Sequence, residues 1–195
     1  MTDFPDKLRL KEQAEEDQYF ARRDRELVAA LHARRQQPVA RLVSGGQTGV
    51  DRAALDAGLA AGVPVGGWCP RGRLAEDGKI PARYPLRETP DSDPAQRTAW
   101  NLRDSDGTLI LHRRGLAGGT ALTANLARRQ GRPLLVIDLN RAPAPEDIRE
   151  WLRAQGIRVL NVAGPRESQD PGIAAVARAL LRRVLEQSPD AVESA

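Results

Sequence analysis

The chain has 195 residues, 41% hydrophobic, 29% charged and 4% aromatic, a balance that suits one soluble domain with an appendage and favours helices on an aliphatic sheet over an all-β sandwich. Its 30 Lys+Arg against 26 Asp+Glu leave a net charge of +4, too modest to argue for nucleic-acid binding, and the preference for Arg follows GC-rich coding as readily as phosphate recognition. One cysteine, Cys69, excludes an intrachain disulfide or a cysteine-built zinc site, His32 and His112 lack metal-ligand spacing, and no apolar run matches a membrane span or a secretory signal, so the expectation is a cytoplasmic protein without a metal.

Residues 6–35, DKLRLKEQAEEDQYFARRDRELVAALHARR, carry a sparse apolar stripe through Leu8, Tyr19, Phe20, Leu27 and Leu31. The pattern predicts a long amphipathic helix with acids and bases at i,i+3 and i,i+4 spacings. Balanced charge favours a solvated face over a nucleic-acid arm. Such a helix has no core of its own, so it must lie on the main domain, pair with another copy or bind a protein partner. Gln36-Gln37-Pro38 stops it. Residues 1–37 are therefore read as a charged helical segment, 38–188 as the main domain and 189–195 as a disordered tail.

The main domain opens on Val39–Val43, a short apolar run, followed by Ser44-Gly45-Gly46 and a helix with apolar residues at Val50, Leu55 and Leu59. That is strand, glycine turn, helix. Glycine lets the backbone approach a ligand, and the helix N-terminus presents unpaired N–H groups that suit an anion. Thr48 followed by Asp51 also reads as a plain capping pair. Residues 62–68 look like a second short strand, and residues 69–92 form a long Pro-, Gly- and Arg-rich loop without periodicity. Loops of that length are functional more often than not, and this one carries Cys69, Arg71, Arg73, Glu76, Asp77, Lys79 and Arg83 on the side where ligands should sit. Cys69 itself reads as a small buried hydrophobe rather than a reactive thiol.

Asp93 is placed to cap a helix with Pro94 at its first position, running to Arg103. Gly107–His112 is a buried strand, Gly115–Gly119 the next glycine turn, and Thr120–Gln130 a helix. Arg132–Leu139 is an aliphatic strand continuous enough to be covered on both faces. A helix over Pro145–Gln155 and a strand over Ile157–Ala163 lead to Gly164-Pro165-Arg166-Glu167-Ser168. Asp170-Pro171 then opens the last helix, repeating the Asp-Pro start at Asp93.

Alternating strands and helices signal a parallel sheet with helices around it, an α/β fold of Rossmann-like type with an extra N-terminal helix. In such sheets ligands bind beyond the carboxyl ends of the strands. Three strand-exit turns contain glycine: Ser44–Gly49, Gly115–Thr120 and Gly164–Ser168. Together they point to a phosphate- or nucleotide-sized anion. The chain lacks the P-loop, the dinucleotide fingerprint and the nucleophile elbow.

SGGQTGVDRAALDAGLAAGVPVGGWCPRGRLAEDGKIPARYPL, GGTALT, and LNVAGPRES with PGI behind it together resemble the circularly permuted YpsA-type branch of the SLOG superfamily, whose members are often labelled molybdenum-cofactor carriers. The resemblance runs from about Arg41 to Leu185. It implies a Rossmann-like fold that binds a nucleotide or a related phosphorylated ligand, with a molybdopterin-type ligand among the candidates, in a dimer or higher oligomer. The superfamily includes LOG phosphoribohydrolases, which cleave nucleoside 5′-monophosphates with a P-G-G-x-G-T-x-x-E motif. Gly118-Gly119-Thr120 resembles its end, but Thr123 stands in place of the glutamate, and threonine supplies no carboxylate.

Three functional readings follow. A carrier or sensor would bind its phosphorylated ligand through Ser44, Gly45, Gly46, Thr48, Gly49, Asp51, Arg71, Gly118, Gly119, Thr120, Gly164, Arg166 and Glu167. A nucleotide-processing hydrolase would need Asp51 or the Glu76/Asp77 pair as its acid-base group, or Glu167 to supply the carboxylate from another loop. A protein acting through partners would dock by its N-terminal helix.

Overall fold

The computed structural model describes residues 13, 15–29 and 37–186. The chain divides into two compact units, Met1–Gln36 and Gln37–Ala195. In the first, residues 15–29 form helix α1, exposed along its length. Tyr19 and Phe20 meet edge to face with ring centres 5.6 Å apart, and Arg23 Nη1 donates to the Tyr19 hydroxyl at 3.1 Å. Leu8, Leu31 and the tail 189–195 lie outside the described residues.

The second unit runs β1 (Arg41–Val43), α2 (Val50–Ala60), β2 (Val65–Gly66), β3 (Trp68–Cys69), β4 (Leu74–Ala75), β5 (Gly78–Lys79), β6 (Arg87–Glu88), α3 (Pro94–Arg103), β7 (Gly107–His112), α4 (Gly118–Arg129), β8 (Leu134–Asp138), α5 (Pro145–Ala154), β9 (Val159–Ala163) and α6 (Ile173–Leu185). Five strands form one parallel sheet in the order β2-β1-β9-β7-β8. The architecture is the expected Rossmann-like α/β fold.

Successive strand residues point to opposite faces, and the two faces have different covers. Leu42, Leu109, Leu111, Leu135, Ile137, Leu160 and Val162 join a core with Leu55 of α2, Ile148 and Leu152 of α5, and Leu181 and Val184 of α6. Ile110, Ala163, Leu134 and Val136 pack instead with Ala124 of α4. The chain leaves β1 toward one edge, β2, and leaves β7 toward the other, β8. The carboxyl ends of β1, β9 and β7 therefore frame the crevice where such sheets hold ligands.

Several local expectations change. β8 is an edge strand: Leu134 and Val136 pack on one sheet face and Leu135 and Ile137 on the other, as expected, but every residue stays only partly buried. The stretch 62–68 is two strands, β2 and β3, that belong to different sheets. The long loop is built rather than featureless. β3 pairs with β6, β4 and β5 make a hairpin, and Ile80, Tyr84 and Leu86 are buried in the main core. Arg73 holds it from inside: Nε donates to the Ile80 carbonyl, Nη1 to Leu86, and Nη2 to Pro81 and Tyr84, all within 3.2 Å. That guanidinium is committed to loop carbonyls.

Asp93 caps α3 as expected, accepting from the Ala95 amide at 2.8 Å. Asp170 does not cap α6. The N-cap is Gly172 in the left-handed region, and the buried Asp170 carboxylate faces Arg113 instead. An Asp-Pro pair thus opens one helix, whereas at the other an inward-facing arginine captures the carboxylate.

Candidate functional site

The β1–α2 turn supplies the first wall. Ser44 is fully buried and donates to the Val162 carbonyl at 2.7 Å, tying β1 to β9. The expected Thr48–Asp51 capping pair is absent: Gly49 is the N-cap, at φ 73°, and no side chain caps α2. A side chain at Gly49 would strike the Pro165 carbonyl, and one at Gly45 would fall on the guanidinium of Arg97. Both glycines hold space, one for the neighbouring loop and one for an arginine.

Arg97 comes from α3. Its Nη1 lies 3.2 Å from Asp51 Oδ2, and that same oxygen accepts from the Gln47 amide at 3.3 Å. Asp51 is only 2% exposed. Burial pushes its carboxyl above the usual carboxylate range, and the Arg97 charge offsets part of this. Arg97 Nε is buried without a hydrogen-bond partner among the described residues. A buried donor of that kind ordinarily has an acceptor.

Facing this pair is the start of α4. Ala117, the N-cap, provides no side-chain cap, and the first helical amides, Gly118 and Gly119, find no partner inside the helix. Space beyond Gly119 is open, with nothing within 4 Å of a Cβ built there. Thr123, where a LOG enzyme has its glutamate, turns its hydroxyl back onto the Gly119 carbonyl at 2.9 Å. Gly164, Arg166 and Gln169 close the third side. The resulting cavity, of about 220 Å³, is lined among others by Gln47, Asp51, Arg97, Gly118, Gly119, Thr120, Gly164, Arg166 and Gln169.

The remaining sequence candidates sit elsewhere. Gly46, at φ 76°, packs against Leu86 and Ile80. Arg71 is exposed in the turn after β3, its amide bonded to the Asp91 carbonyl at 3.0 Å. Glu167 spends its carboxylate on the start of α6, accepting from the Gly172 amide and from Ala174 at 3.1 Å. Glu76, at the tip of the β4–β5 hairpin, accepts from the Thr48 and Ser168 hydroxyls and from the Ser168 amide at 3.2 Å. Burial opposes its charge, but these hydrogen bonds and the nearby Arg166 outweigh that and hold its carboxyl below the usual range. Asp77 beside it pairs with Arg52 through both oxygens. The hairpin is thereby clasped to the turns after β1 and β9. Cys69 is buried, and burial pushes its thiol up, as for an inert core residue.

Arg97, Gln47 and Gln169 are among the lining residues that escaped the sequence reading. Arg97 stands among Ala95, Thr98 and Ala99 on a helix read only for its apolar face, and its partner is 46 positions earlier, by the numbering of Asp51 and Arg97. Gln47 lies inside a motif that was read for its glycines.

A five-stranded parallel sheet with a donor-lined cleft at its carboxyl edge defines a Rossmann-like α/β protein of the ligand-binding kind. The chain belongs to the circularly permutated YpsA SLOG family, whose sequence model matches residues 42–185. It is similar to the crystal structure of a provisionally named molybdenum carrier protein from Syntrophus aciditrophicus SB, at 46% identity and a TM-score of 0.73, over 77% of this chain and 97% of that one. No curated protein matched.

Proposed function

We propose that this chain is a binding protein for a phosphorylated small molecule, a nucleotide or a molybdopterin-type compound, and acts as a carrier or sensor of it. The anion rests on the amides that open α4, with Arg97 and Arg166 as its cationic partners. One observation carries this reading: Arg97 and Arg166 line the same cavity as the uncapped first turn of α4, and Asp51 is the one carboxylate among its described lining residues. The name of the Syntrophus protein points the same way.

Hydrolysis of the LOG type finds less support. Asp51 is the one carboxylate among the described residues lining the cavity, and it is engaged by Arg97 and the Gln47 amide. Glu76 is engaged by Thr48 and Ser168. Native mass spectrometry of the full chain, incubated with nucleoside monophosphates and molybdopterin-type compounds, tests both readings. A retained, unmodified ligand supports the carrier or sensor. Release of free base would replace it with the hydrolase and direct attention to Asp51.

A further inference from the structure

The two edges of the main sheet are finished differently. At one, β2 is two residues long, too short to serve as a template for another strand. At the other, β8 keeps five residues in unbroken register with β7, from Leu134 beside Thr108 to Asp138 beside His112, and has no second neighbour among the described residues. The Thr108 amide donates to the Pro133 carbonyl at 2.9 Å, which turns the backbone groups of Pro133, Leu135 and Ile137 toward β7. By the alternation of the strand, Leu134, Val136 and Asp138 direct their N–H and C=O groups out of the sheet.

Such edges are ordinarily blunted by a lysine, a proline or a bulge within the strand. β8 contains none of these and is aliphatic on both faces, with its one charge, Asp138, at the end. An open groove of about 400 Å³, lined by His112, Val136, Ile137, Asp138, Arg141 and Pro143, lies beside its second half. Charge indicates what fits there. The chain enters β8 through Arg128, Arg129 and Arg132, a stretch without an acid. Beyond the strand, Asp138, Glu146 and Asp147 stand against Arg141 and Arg149, so that end is the more acidic. A second copy running antiparallel sets the basic end of each strand beside the acidic end of the other.

We infer that β8 pairs antiparallel with β8 of a second copy about a twofold axis at Val136, joining the two sheets into one. Val136 then faces its own counterpart as a hydrogen-bonded pair and Leu134 faces the partner's Asp138, so every outward N–H meets an outward C=O. Leu135 lies opposite the partner's Ile137, an aliphatic cross-strand pair, and Arg132 stands diagonal to the partner's Asp138, within reach of a long side chain. The contact uses the same patch on both copies, as a twofold interface requires.

The test uses the full chain with a cysteine introduced on this edge, Cys69 being buried. Val136→Cys brings two thiols together across the axis, with Cα atoms about 5.5 Å apart, inside disulfide range. Leu134→Cys leaves them more than about 13 Å apart, four residues at about 3.4 Å each, outside it. Under oxidised glutathione Val136→Cys is expected to move on a non-reducing gel from 21.3 kDa to about twice that mass, while Leu134→Cys stays single. Light scattering of the unmodified chain should give an even number of copies, and Val136→Lys, which sets like charges face to face at the axis, should halve that mass. Equal cross-linking at the two positions, none at Val136→Cys, or an unchanged mass in a folded Val136→Lys overturns the pairing. So does an unmodified chain of 21.3 kDa in solution, which would leave the edge to an extended segment of a different protein. The cysteine pair and the unmodified chain decide the matter even where Val136→Lys does not fold.

Discussion

Gly119 separates binding from folding more cleanly than other residues of the site. Its backbone is not in the left-handed region and space around a Cβ is open, so a side chain fits without strain. An aspartate there lies in the first turn of α4, where a negative charge is favourable to the helix. The same carboxylate would occupy the anion's place. Gly119→Asp is therefore expected to keep its thermal midpoint while losing phosphate-ligand affinity by at least about 100-fold, roughly 2.7 kcal/mol; calorimetry showing near-native affinity would remove α4 from the site. Asp51 gives a second test, through pH. Burial raises its folded carboxyl above the unfolded value near 4, so the fold holds the proton more tightly than the unfolded chain does. Stability contributed by this group is greatest in acid and falls as pH rises from about 4 toward the raised value. Urea denaturation across that range should show the difference in unfolding free energy, unmodified chain minus Asp51→Asn, declining with pH; a rising difference would contradict the assignment. Residues such as Gly45 and Gly119 were legible because glycine in a strand-exit turn has few explanations. Arg97 was not, since its significance lies in a long-range contact with Asp51 and in the room that Gly45 leaves for its guanidinium.

At the level of elements, the helices that carry the site are placed by caps and by cross-links between loops. α3 brings Arg97 into the cavity, and its first turn depends on the Asp93 carboxylate accepting from the Ala95 amide. Asp93→Ala should cost about 1 kcal/mol, read as a lower urea midpoint at unchanged m-value; a midpoint equal to that of the unmodified chain would mean that Pro94 alone fixes the helix start. Strand β7 and the cap of α3 were readable because buried aliphatic runs and Asp-Pro starts are local signals. The edge position of β8 and the capture of Asp170 by Arg113 were not, because sheet order and ion-pair partners are set by residues distant in sequence. The internal order of the loop after β3 was not legible for a related reason. Its order comes from Arg73 gathering four carbonyls and from Glu76 joining two turns, neither of which has a periodic signature. Glu76, read as a catalytic candidate for its charge, has the geometry of a clasp that keeps Gln47 and Ser168 in register.

On the scale of the whole molecule, the family match begins at residue 42, and the Syntrophus protein is covered over 97% of its length by 77% of this chain. A protein consisting of little more than the matched region therefore stands as a folded crystal structure. The internal contacts of this chain divide in the same place, between Gln36 and Gln37, and every cavity-lining residue falls in the second unit. The first unit offers a helix with exposed Tyr19, Phe20, Leu27 and Val28, apolar surface out of proportion to its own means of burial, since an isolated helix of this length is marginal in water. Such a helix calls for a surface to pack on: the main domain, a second copy or another protein. A chain beginning at Gln37 is expected to unfold cooperatively and, since every described cavity-lining residue lies in the second unit, to bind phosphorylated ligand within about twofold of the full chain. Its mass in solution, measured by light scattering, should be that of a smaller assembly if α1 joins copies of the chain. An unchanged assembly assigns α1 to a different protein partner, and loss of cooperative unfolding would show that α1 instead covers the main domain.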